Sequence, residues 1–226
     1  MKRYVNRLQS YWLNDVSFVT LLIMLICAVF ILPIVMEYST HGVLLFNILL
    51  LSVFLTGAFS TSNKWLVILS ISLFSIHLFL RVVRLGDNPY SFYILENVIA
   101  IANTLLFIII NLQHLFRDQS INAYRIIGAI NVYLLIALMG ALVLEVIHAI
   151  VGSSIAGNVQ LQGNDIDYIH FMYFSLSSLT TVGFGDIYPV NVVTKMLVTF
   201  LSVMGILFPA VVISRLVGMA TNNKSN

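Results

Sequence analysis

The stretch Leu179-Thr180-Thr181-Val182-Gly183-Phe184-Gly185-Asp186 lies between two long apolar segments and is too polar and too rich in glycine to continue either of them. In a regular strand of L-residues, successive carbonyls point to opposite sides. Glycine at alternate positions, here Gly183 and Gly185 around the bulky Phe184, visits positive φ at little steric cost. Consecutive carbonyls can then point toward one axis. A cation whose water is to be replaced by backbone oxygens needs that arrangement, and the Thr181 hydroxyl adds a last oxygen on the inner side.

The rest of the chain sets the environment of this stretch. Of 226 residues, 60% are hydrophobic and only 9% are charged, which leaves too little polar surface for a water-soluble globule. The sequence therefore reads as an integral membrane protein. The net charge is a small +2. Lysines and arginines are scattered singly, so no nucleic-acid partner is expected. The lone Cys27, inside an apolar run, excludes a disulfide framework and reads as a small core residue.

Residues 1–15 place Lys2, Arg3 and Arg7 on one side of a helix and Tyr4, Leu8, Tyr11 and Trp12 on the other, as an interfacial helix would. Val16 to Met36 carries no charge and matches the roughly 20 residues of a bilayer-spanning helix, with Asp15 as its start. It is longer than the apolar core of a signal peptide, about 7–15 residues, and no small-residue cleavage site follows. Further spans are expected from Gly42 to Ser60, Trp65 to Leu80, Tyr90 to Phe116, Ile126 to Val151 and Val190 to Val217. A polar turn, Thr61 to Lys64, separates the second and third. After the fifth comes a loop with Gly152, Gly157 and Gly163, in which Asn164 or Asp165 can cap a short helix from Asp167 to Leu179. At about 1.5 Å per residue that helix cannot cross a membrane of about 30 Å, so it must re-enter. Non-helical backbone at membrane depth is tolerated where protein buries it or water lines it, which suits the stretch that follows.

Lys2, Arg3, Arg7, Lys64, Arg117, Arg125, Arg215 and Lys224 fall on one side of this layout, against Arg81, Arg84 and Lys195 on the other, which puts both termini inside the cell. The fourth span has no arginine or lysine. Glu96, Asn97, Asn103, Thr104 and Asn111 form one polar stripe along it, expected to hydrogen-bond to the other three helices of the front half. The hairpin centred near Asn88-Pro89 should bring Arg81 and Glu96 together. His41, His77, His114, His148 and His170 lack metal-ligand spacing, and Ser175, Ser177 and Ser178 have no base nearby, so neither a metal centre, a catalytic site nor an enzyme is expected. In the last span Gly205 and Pro209 each weaken a straight helix and read as a hinge.

In Thr180-Thr181-Val182-Gly183-Phe184-Gly185-Asp186 and its flanks the sequence resembles the tetrameric potassium channels, whose commoner filter motif is TVGYG. The resemblance implies potassium sites at the carbonyls of Thr181, Val182, Gly183 and Phe184, with Gly185 completing the filter and Thr180, Ser177 and Asp186 supporting it. It also implies an aromatic ring of Tyr188 at the outer mouth, and an inner-pore face of Pro209, Ile213 and Val217 below Gly205. Two departures stand out: Phe184 occupies the tyrosine position and lacks its hydroxyl, and Ser177 stands where relatives often carry valine or glutamate.

The expected fold class is thus an all-α membrane protein with six spans, a re-entrant pore helix and a filter, assembled as a homotetramer among membrane lipids. Its expected domains are an interfacial helix (1–15), a four-helix bundle like a voltage sensor but without sensor arginines (16–116), a linker (117–125), a pore domain (126–219) and a cytoplasmic tail (220–226). The function implied is voltage-independent potassium conduction across the plasma membrane, with no cofactor beyond the permeant ion. So short a tail leaves no room for a cytoplasmic ligand-binding domain, so a separate regulatory protein is one route to control. A non-conducting regulatory subunit and a transporter are the alternatives. Transporters favour interrupted helices in both halves, and here only the back half has one.

Overall fold

The computed structural model describes residues 11–39, 41–84, 92–117 and 123–222. Most of the expected interfacial helix, the Asn88-Pro89 turn and the last residues of the tail lie outside them. Among the described residues, six helices are long and apolar enough to cross a membrane: α1 (Ser17–Tyr38), α2 (Gly42–Phe59), α3 (Lys64–Arg84), α4 (Tyr93–Leu115), α5 (Ala123–Val151) and α7 (Val192–Asn222). The short α6 (Tyr168–Leu179) follows a 3₁₀ turn at Asn164–Asp167. The expected spans are therefore present, and α5 begins within the stretch expected as a linker.

The first four helices form a bundle whose fourth member packs along α5, while α6 wedges between α5 and α7. One core runs through both halves, from Leu25, Phe54 and Phe107 to Leu135, Leu138, Phe171 and Leu179. Helix α5 is the most buried span and α7 the least, with only 11% of its most apolar window covered.

Three expectations about local structure need correction. Helix α1 starts at Ser17, two residues after the expected start at Asp15, and that start makes no side-chain cap. The Asp15 carboxylate instead faces His114 at 3.2 Å, Arg125 at 3.6 Å and Arg117 at 3.8 Å, which lets Arg125 be buried in α5 rather than lie in a polar linker. The Asn164 side chain lies outside what is described, and Asp165 does not cap α6. Asp165 is engaged by arginines of α3, and the Asp167 carboxylate turns back to accept the N–H groups of Gln162 and Gly163 at 2.8 and 2.7 Å.

The third correction concerns the α4 stripe. Its polar residues are buried as expected, yet Asn103, Thr104 and Asn111 donate to carbonyls one turn back in their own helix, at 3.3, 2.8 and 2.9 Å. An intrahelical acceptor is always in reach of these short side chains, whereas the facing helices present mostly apolar groups. Glu96 reaches out, to Arg81 and to Arg84 at 2.9 Å.

Helix α1 contains a π-turn, Cys27–Ile31, in which the Leu32 N–H donates to the Cys27 carbonyl five residues back. The next donor in that register would be residue 33, a proline with no N–H. The Ala28 carbonyl is left over, and the Tyr168 hydroxyl donates to it at 3.1 Å. A defect in the first span thus becomes an attachment point for the first residue of α6.

Candidate functional site

The stretch that follows α6 is held at both ends. Its start is the helix C-terminus, where the Thr180 hydroxyl donates to the Leu176 carbonyl at 2.8 Å and the Thr181 N–H to the Ser178 carbonyl at 3.1 Å. Helices α5 and α7 bond the last carbonyls of α6: Tyr133 donates to Leu179 at 3.2 Å and Ser202 to Ser178 at 2.9 Å. The far end is held by a two-stranded antiparallel ribbon, β1 (Ile155–Gly157) and β2 (Ile187–Pro189), with Ala156 opposite Tyr188. The loop expected around Gly152, Gly157 and Gly163 thus contains β1, since a three-residue strand carries too few alternations to be recognised in the sequence. Asn158 donates to the Asp186 carbonyl at 2.8 Å, and the Asn191 side chain caps α7 by accepting the Thr194 N–H at 2.8 Å.

Between these anchors the backbone alternates. Thr181, Gly183 and Gly185 have φ of 62°, 52° and 82°, while Val182 and Phe184 are not in the positive region. The alternation begins one step earlier than glycine alone predicts, since Thr181 is a β-branched residue in a conformation such residues avoid. Left- and right-handed residues in strict alternation aim successive carbonyls to one side. Among the described residues, none donates a hydrogen bond to the carbonyls of Thr181, Val182, Gly183 or Phe184, whereas those of Ser178, Leu179 and Asp186 on either side are bonded. Four consecutive acceptors are thus presented together without a protein partner, on a strip exposed in the single chain.

The supporting residues act in ways the sequence only partly indicated. Ser177 holds the strip through its backbone, its carbonyl accepting the Gly183 N–H at 3.2 Å, while its hydroxyl turns back to Phe174 at 3.3 Å. The Asp186 carboxylate accepts the Tyr173 hydroxyl at 2.8 Å, and the Tyr173 ring lies nearly parallel to that of Phe184, 11° apart with centroids 6.1 Å apart. Tyr173 thus ties α6 to the residue that follows the strip and sets its ring beside Phe184, a contact the sequence alone does not reveal. The aromatic character of Tyr173 one helical turn before Ser177 was the available signal. Tyr188 is half exposed on β2 beside the strip.

In α7, the residues read as a hinge have other neighbours. The helix runs unbroken through Pro209. Gly205 sits against the end of α6: a Cβ there would run into the carbonyl oxygen and carbon of Leu179, which are backbone atoms. Pro209 and Ile213 border an apolar groove of about 300 Å³ against Ile126, Ile130 and Tyr133 of α5. Val217 is exposed in the single chain.

Residues 132–222 match a family described as ion channel, a span that covers α5 from its tenth residue through the strip to the end of α7. No curated protein and no solved structure gave a match. The match, with six helices able to span a bilayer, supports a multi-pass membrane protein that conducts ions, a class that is not enzymatic.

Proposed function

We propose that the chain is one subunit of a potassium-selective channel and that the 181–185 strip is its selectivity filter, with α6 as the pore helix. The observation that carries this reading is the strip itself: four adjacent carbonyls, aimed together by alternating φ and lacking protein donors, beside a hydroxyl from Thr181. Such oxygens suit a dehydrated cation, because each can take the place of a water oxygen without further rearrangement. Potassium would bind at the Thr181, Val182, Gly183 and Phe184 carbonyls, and no other cofactor is required.

A single chain supplies one wall only. Unpartnered carbonyls cannot face lipid, where each costs several kcal/mol. An α7 covered over only 11% of its most apolar window leaves room for neighbours on the same side. A homotetramer around the strip, with cyclic symmetry, satisfies both demands. The plasma membrane is its proposed location; cytoplasmic termini follow from the distribution of basic residues, and a gate in α7 near Gly205, Pro209, Ile213 and Val217 from the resemblance. Purified protein in liposomes loaded with potassium chloride should release potassium and rubidium but not sodium or lithium. Sodium flux equal to potassium flux, or no flux from this chain alone, would refute the reading.

A further inference from the structure

Helix α6 carries the strip at its C-terminal end, and its N-terminal end is held by the front four helices. Asp165, in the 3₁₀ turn just before α6, accepts Arg81 at 2.8 Å and Arg84 at 2.5 Å, both from the last turn of α3. Both arginines also pair with Glu96 of α4, so two cations face two carboxylates in a site where Arg81 and Glu96 are almost fully buried. Tyr168 donates to the Ala28 carbonyl that the π-turn and Pro33 of α1 leave without a donor. The same ring packs against Phe46 of α2, with centroids 4.4 Å apart.

From these contacts we propose that the front bundle is a clamp on the pore helix, and that Asp165 and Tyr168 are positioning residues for the carbonyl strip. The proposal rests on the channel reading for its functional consequence but not for its mechanics. An α-helix of 12 residues is a stiff rod of about 18 Å. A displacement of residue 168 is therefore carried to residue 179 and on to the strip, whose Gly183 N–H hangs on the Ser177 carbonyl of the same helix. The opposite end of the rod is seated by α5 and α7, through Tyr133, Ser202 and the contact at Gly205. The strip is thus determined jointly by two groups of helices, and the bundle supplies one of the two seats. A bundle without sensor charges then has a definite mechanical role, because any stimulus that shifts α3 or α1 is delivered to the filter side of the pore through residues 165 and 168.

Two substitutions test the clamp, Asp165→Asn and Tyr168→Phe, with Lys64→Gln as a control at the exposed start of α3. Tyr168→Phe removes one oxygen atom and keeps the ring against Phe46, so it serves even if Asp165→Asn does not fold. The first readout is hydrogen exchange of the peptide covering residues 174–186 in the purified protein. Both variants should exchange there faster than the native chain and the control. The second is potassium flux into liposomes, which should change by about fivefold, a coupling of the size packed networks carry. Asp165→Glu should recover most of both. Unchanged exchange over 174–186 together with unchanged flux would overturn the clamp. Faster exchange in a protein whose native form passes no potassium would uphold the clamp while removing the channel reading, so the two failures are distinct.

Discussion

Gly183 combines a positive φ with open space around the position a Cβ would take, so a substitution there is opposed by backbone strain and not by neighbours in the same chain. That strain is about 1–2 kcal/mol for an L-residue, imposed once per subunit. Gly183→Ala should therefore leave each chain folded and abolish the preference for potassium over sodium, as measured by reversal potentials in bilayers. A variant with unchanged ion ratios would remove the strip from the permeation path. Gly205 presents the opposite case. Its substitution meets the Leu179 backbone, and overpacking of this kind costs about 1–3 kcal/mol. If Gly205 served only as a hinge, alanine would strengthen the helix by about 1 kcal/mol. Gly205→Ala is expected to lower the melting temperature, and a raised one would restore the hinge. Tyr188, half exposed beside the strip, can offer its ring to an external cation. Four rings would each contribute roughly 0.5–2 kcal/mol to binding of tetraethylammonium, so Tyr188→Thr should weaken external block; equal block in both proteins would place Tyr188 away from the mouth.

At the level of elements, the joint between α3, α4 and the turn before α6 depends on a balance of charge. Arg81 and Glu96 meet as their spacing from the hairpin suggested, but they do so inside a group of four that includes Arg84 and Asp165. Glu96→Gln leaves two guanidinium groups facing one carboxylate in a buried site, and breaking such a balance costs roughly 3–5 kcal/mol. Adding Arg81→Gln restores one cation to one anion, Arg84 with Asp165. The double variant should thus melt at a higher temperature than Glu96→Gln alone, and additive losses would show that the four groups do not share their charge. Glu96 also explains why α4 keeps one carboxylate: together with Asp165 it balances the two arginines that bridge α3 to the turn before α6.

For the whole molecule, the absence of arginine and lysine from α4 bears on how the protein responds to the membrane field. Steep voltage gating takes about 3–4 charges per subunit crossing the field, each contributing about 2.3 kcal/mol per 100 mV. Arg81 and Arg84 are the nearest candidates, and both are tied to Glu96 and to Asp165 in the turn before α6. Moving them outward or inward would break a buried network. Open probability should be almost flat between strongly negative and positive potentials in symmetrical potassium. A conductance–voltage curve as steep as several charges per channel would contradict this.

Periodicity and composition alone determined the six candidate spans, the short α6 and the alternation around Gly183 and Gly185, because each depends on local rules: span length, helix rise and the freedom of glycine. The partner choices of polar groups were decided by tertiary structure. Asp15 and Asp165 stand where helices are expected to start, yet each is held by cations that only the folded chain brings close, while Asp167 turns back to Gln162 and Gly163 in its own loop. The stripe on α4 was legible as a buried face, but not its self-contained hydrogen bonds, because a side chain's competition between its own helix and a neighbour is settled by what the neighbour offers. Tyr173 behind Phe184, the β1–β2 ribbon and the Ala28–Tyr168 attachment were likewise out of reach. Each joins residues far apart in the chain, and a contact of that kind carries no period to be read.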